Sequence, residues 1–174
     1  MMEEPGLPRW PSRGNRRKLD LLWLERLERE GFEPFASDFP ATPPSELEYA
    51  VAQFNRGQFW QCHETLEDLW RATPYPLRHY YHGVIKVAVG FYHVSKHNRR
   101  GAASKLSEGL RLLKVFTPEF LGLDVEGLYG EASRWLDKVK EATPVRWREL
   151  DGLERPRIHY SDIDSGHLID GGDG

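Results

Sequence analysis

"FWQCHETLEDLW", residues 59 to 70, packs a histidine, two glutamates and two tryptophans into just over three helical turns. At roughly 100° per residue, a wheel with His63 at zero puts Glu67 about 40° away, Trp70 about 20° to the other side and Phe59 about 40° off. Trp60 and Leu66 fall about 60° away on opposite sides. This predicts a helix over residues 58–71 with His63 and Glu67 in the middle of its apolar face. Gln61, Thr65 and Asp68 face solvent, Glu64 sits at the border, and Cys62 and Leu69 extend the buried side.

The segments on either side carry the same period. Residues 16–30 place Leu19, Leu22, Trp23 and Leu27 on one side, with Gly31 as a stop. Ser45 opens a capping-box pattern with Glu48, ahead of Leu47, Ala50, Val51 and Phe54 at i, i+3, i+4 and i+7. Further helices are predicted over 77–96, over 101–116 with Ala103, Leu106, Leu110 and Leu113 as a stripe, and onward from Asp124, a good N-cap. No segment alternates with period two for long enough to argue a strand. Short loops between amphipathic helices favour antiparallel neighbours. The expectation is all-α: a compact antiparallel bundle of about five or six helices with irregular N- and C-terminal tails.

The tails read differently from the body. Residues 1–18 mix Pro, Gly and Arg without an apolar period and read as a mobile basic arm, so removing residues 1–15 should leave thermal stability nearly unchanged. Residues 19–143 form the helical domain. Residues 144–174 read as an irregular acidic tail ending in "SDIDSGHLIDGGDG", although "RPRIHY" at 155–160 could cross the domain as an extended strap.

Composition bounds the function. The 174 residues are 39% hydrophobic and 29% charged, enough for one domain with a substantial core. A net charge of -3 excludes a protein-wide attraction for nucleic acid or anionic lipid, though not a local patch. The single cysteine, Cys62, cannot form an internal disulfide, and no apolar run reaches the roughly 20 residues a membrane span needs. No signal-peptide pattern opens the chain, so a cytoplasmic protein without membrane association is expected.

A histidine and a carboxylate in an apolar stripe require partners, because either one buried alone costs several kcal/mol. The helix over 77–96 offers them: His79, His82, Lys86, Gly90, His93 and His97 follow at steps of three or four. A solvated face is the plainer reading for His79 and His97 at the ends. For Lys86, Gly90 and His93 at the centre of a long apolar helix, a packed site is the better one. Gly90 would let a backbone or a ligand approach closely. Glu67 or Glu64 could pair with Lys86, and His63 could face His82 or His93.

"FNRGQFWQCHETLEDLW" followed by "YHGVIKVAVGFYHVSKHNRRGAASKL" resembles the bacterial and archaeal family named domain of unknown function 309. The matching positions are Asn55, Gly57, Phe59, His63, Glu64, Leu66, Glu67 and Trp70, then Gly83, Ile85, Lys86, His93, Asn98, Gly101 and Ala102, with a family-like core over residues 45–116. The resemblance implies a compact helical bundle and brings no activity. Lys86 departs from the glutamine common there, which changes the local charge.

Three chemistries could use these groups. His63-Glu64 with Glu67 lacks the second histidine of a zinc-protease helix, yet His63, Glu67 and His93 could supply three ligands to one ion. Lys86 on the same stripe would repel that ion. Alternatively, His63, Glu64, Glu67 and His93 could perform acid-base hydrolysis, with Lys86 holding an anionic group. No nucleophile accompanies them. The preferred reading is a polar cluster between the third and fourth helices, either a structural network or a site for a small anionic ligand or protein partner. Lys86, His82, Trp70 and Asn98 are its ligand-binding candidates, and no cofactor is named. The arm, with Arg9, Arg13, Arg16, Arg17, Lys18 and Trp10, is a candidate nucleic-acid contact against the plainer reading of a solvated tail.

Overall fold

Six amphipathic segments become six long helices in a computed structural model, which describes residues 6–161. They are α1 (Arg16–Glu30), α2 (Ser45–Asn55), α3 (Phe59–Ala72), α4 (Leu77–Ser95), α5 (Arg99–Lys114) and α6 (Val125–Glu141). The all-α expectation holds. Three short elements escaped it: a 3-10 turn at Glu33–Asp38, a hairpin of β1 (Glu119–Phe120) and β2 (Leu123–Asp124), and α7 (Trp147–Asp151). Two-residue strands pairing Glu119 with Asp124 and Phe120 with Leu123 are too short to display a period. Among the described residues, no helix is long and apolar enough to cross a membrane.

Local sequence sets most boundaries. Asp124 accepts a hydrogen bond from Gly127 N at 2.8 Å and Asn98 one from Gly101 N at 2.9 Å, so both α6 and α5 begin on a side-chain cap. The capping box expected at Ser45 does not form. Pro44 holds the N-cap position, and Ser45, already helical, turns its hydroxyl toward Glu46 at 3.4 Å.

α4 is the central element, with apolar side chains buried along most of its length. α3 lies antiparallel on it, Trp70 stacking on His82 at one end and Trp60 meeting Tyr92 at the other. α5 packs antiparallel on another side through glycines. A Cβ on Gly109 would come within 2.9 Å of the Val87 backbone nitrogen, and one on Gly90 within 2.7 Å of Leu106. Gly90 therefore admits a leucine, where a ligand was the other possibility. Edge-on aromatic pairs join further layers: Phe54 of α2 to Phe59, and Phe91 of α4 to Trp135 of α6, at 5.1 and 5.6 Å.

Leu7, Pro8 and Arg9 of the basic arm are docked where a mobile segment was expected. Tyr75 N donates to Arg9 O at 2.8 Å, Arg9 Nε donates to Tyr75 O at 2.8 Å, and Trp23 Nε1 donates to Pro8 O at 2.8 Å. The physical reason is a second small core of Leu19, Trp23 and Tyr75, against which Leu7 packs. At the other end, residues 155–160 do form the strap. Asn55 clasps Ile158 through both its amide groups at 2.7 and 2.9 Å, and Asp124 N donates to His159 O at 2.9 Å. Of the acidic tail, residues 162–174 lie outside the described residues, as do residues 1–5.

Gly109→Ala forces a methyl group against backbone and should cost about 1–3 kcal/mol in urea unfolding. A wild-type midpoint would show that α4 and α5 can separate without loss. Deleting residues 1–10 removes four hydrogen bonds, the one from Arg9 Nη1 to Asp38 included, and the Leu7 contact, so the melting temperature should fall by several degrees, in reversal of the expectation from sequence.

Candidate functional site

On α3 the buried residues are Phe59, Cys62 and Leu66, so the apolar face is centred about 65° from His63. The wheel went astray at Trp60. Counted as core, it is 43% exposed and lies over His63 and Tyr92 at 4.7 and 5.0 Å. His63 and Glu67 consequently flank the core. They face each other at 3.7 Å, Glu67 also takes Arg71 Nη2 at 2.6 Å, and Glu64 is exposed. His63 Nδ1 is buried without a partner.

The α4 stripe does not close on that pair. Lys86 donates to Glu108 of α5 at 2.6 Å, and Lys105 shares the same carboxylate at 3.1 Å. Burial pushes the Glu108 carboxyl up, but the two lysines prevail and hold it at about 2. His82 stacks on Trp70 at 4.6 Å, while Arg78 lies over the same ring at 4.4 Å. His93 Nδ1 receives Asn98 Nδ2 at 3.2 Å, so the Asn98 side chain caps α5 with its oxygen and meets His93 with its nitrogen. His97 turns away to Asp151 at 2.8 Å. The proposed trio of His63, Glu67 and His93 is therefore not assembled: among the described residues no three His, Cys, Asp or Glu side chains are grouped to hold a metal ion.

Lys86 and His82 instead line a cleft of about 550 Å³ between α1, α4 and α5. Arg17, Asp20, Leu21 and Leu24 enter from α1; Lys105, Glu108, Arg111 and Leu112 enter from α5. Arg111 is tied to Glu28 at 2.8 Å, which fastens α1 to α5 along the rim. His79 also lines the cleft. Its ring is 1% exposed, and Nε2 lies 2.9 Å from Asp20 O, whose side chain accepts from the Tyr75 hydroxyl. A carbonyl can only accept, so Nε2 carries the proton and Nδ1 is left bare and unpartnered. Reading α4 alone missed the α1 and α5 contributors. The available signal was that Lys105, Glu108 and Leu112 recur at i, i+3 and i+7, a polar edge beside the leucine stripe.

Residues 47–104 match the family model described as "Domain of unknown function (DUF309)". That segment belongs to this family. The DUF309 region spans α2, α3, α4 and the start of α5, somewhat less than the 45–116 suggested by motif. The chain is similar to the uncharacterized protein YpuF of Bacillus subtilis (strain 168), 33% identical over 85 residues, 47% of this chain and 49% of that protein. It thus spans about half the length of the curated relative it matches. No solved structure matches it. In the cleft, His79, His82 and Lys86 come from the DUF309 region, whereas Arg17, Asp20, Glu108 and Arg111 lie outside it.

Burial, only partly offset by Asp20, lowers the His79 imidazole from 6.5 to about 4. The unfolded chain therefore takes up this proton first on acidification. The stability that the neutral ring contributes is complete above pH 6.5 and drains away as pH falls toward about 4. His79→Gln can still donate to the Asp20 carbonyl but cannot titrate. In urea unfolding it should lose less stability than the wild type across that window, and an unchanged pH slope would show that another group carries it.

Proposed function

We propose that this protein binds a small organic acid in the cleft between α1, α4 and α5. The observation that carries the reading is the sharing of one carboxylate by two lysines at the cleft: Glu108 leaves Lys86 and Lys105 with a surplus positive charge. Leu21, Leu24 and Leu112 offer apolar wall beside that charge. The volume, about 550 Å³, falls within the range usual for small-molecule sites. His79 and His82 add neutral polar groups, since burial lowers both, His82 to about 3. An acid with an apolar body matches this lining; a metal cation does not, because Lys86, Lys105, Arg17 and Arg111 oppose it. The hydrolase alternative required His63, Glu67 and His93 to converge, and the separation of His93 toward Asn98 favours binding over that chemistry. A cytoplasmic setting fits a lone buried thiol, Cys62, that burial pushes up to about 12.

Anilinonaphthalene sulfonate, an anion on an aromatic body, is a suitable probe. The native protein should bind it saturably, one per chain, and more weakly as salt rises. Lys105→Gln and Leu21→Asp should each weaken it by about three- to tenfold while leaving the melting temperature close to wild type. Saturation unaffected by either substitution would place the probe elsewhere and sink the reading.

A further inference from the structure

A second groove, of about 370 Å³, lies between α6 and the C-terminal strap, away from the helices that frame the first cleft. Arg134, Lys138, Arg155, Arg157 and His159 line it, opposed by Glu131 and Glu154. Arg155 is held in one orientation. Its Nη1 donates to Leu150 O and Leu153 O, both at 3.0 Å, and its guanidinium lies 4.5 Å from the Trp135 ring centroid. Those bonds occupy Nη1 alone, so Nε and Nη2, the edge that grips an oxyanion with two parallel hydrogen bonds, keep their donors unused by these contacts.

A half-buried arginine ordinarily has a counter-ion, because desolvating an unpaired charge is costly. Here the acid whose charge reaches Arg155 is Asp151, and that carboxylate is paired with His97 at 2.8 Å. Among the described residues, Arg134, Lys138, Arg155 and Arg157 form no ion pair. A planar fork fixed by two carbonyls and a ring, beside three further cations, is prepared for an anion, since neither Glu131 nor Glu154 forms an ion pair with it among the described residues.

We propose that this groove is an oxyanion site in which Arg155 grips the phosphate group of a small phosphorylated ligand and Arg134, Lys138 and Arg157 neutralise its remaining charge. Phosphate is favoured over a single carboxylate by charge: four cations against two acids leave a surplus of two, which matches a doubly charged group. The groove is too small for an extended polymer to be enclosed, so the ligand is a small molecule.

Calorimetric titration of the full-length chain tests this with inorganic pyrophosphate, citrate serving as a carboxylate probe of comparable charge. Saturable 1:1 binding of pyrophosphate is expected, weakened more than about tenfold by Arg155→Lys, which keeps the charge and loses the fork. Arg157 is exposed, so Arg157→Ala should fold normally and weaken binding by about three- to tenfold. Lys105→Gln, in the first cleft, should leave the affinity unchanged. The proposal is overturned by the absence of saturable binding, by affinity indifferent to both arginine substitutions, or by citrate binding as tightly as pyrophosphate.

Discussion

The close contact of α4 with α5 is the constraint on which the other packing decisions rest. Gly83, Gly90 and Gly109 remove the side chains that would hold the two helices at an ordinary separation, and Leu106, Leu112, Leu113 and Val87 fill the space. Dispersion and burial then act over a long, well-fitted seam. That seam also fixes the lateral position of Lys86 relative to Glu108 and Lys105, since the same helical registers carry both the glycines and the charges. A polar group that looks like an α3 partner when α4 is read alone becomes an α5 partner once the seam is in place.

Around that pair, the remaining helices are attached by side chains with two jobs. Trp70 packs against α4 while its ring carries both His82 and Arg78. Asp20 receives the Tyr75 hydroxyl with its carboxylate and His79 with its carbonyl, so α1, the α3–α4 turn and the cleft are joined at one residue. Neutral histidines are tolerated there because each has a ring or a carbonyl beside it in place of a charge.

Much of this was legible in the sequence. Six helices could be read from period and stop signals because their apolar stripes are long and Gly or Pro punctuates them; Gly31, Gly57 and Thr117-Pro118 are examples. The strap was visible as a loss of period, and Lys86 and His82 as chemistry out of place on an apolar helix. What could not be read was which side of α4 meets α3 and which meets α5. A wheel ranks directions on one helix and says nothing of azimuth between two. Trp60 shows the same limit at one residue: an indole counts as apolar in any pattern, yet here it covers His63 and Tyr92 from outside. The docked Leu7–Arg9 segment depends on backbone groups of Tyr75 and Pro8, which leave no mark on hydropathy.

The limits of the DUF309 match also bear on what can fold. The matched residues 47–104 stop short of Leu106, Gly109, Leu110 and Leu113, and they exclude Trp135, the ring that meets Phe91 edge-on. Excised at those boundaries, α4 would lose most of its antiparallel neighbour, uncovering Val87, and Phe91 would keep Phe54 and Phe59 but lose Trp135. The segment by which the chain is recognised is thus smaller than the unit that can bury its own surface. Kinship is carried by α2, α3, α4 and the start of α5, while the burial of α4 also draws on the rest of α5 and on α6.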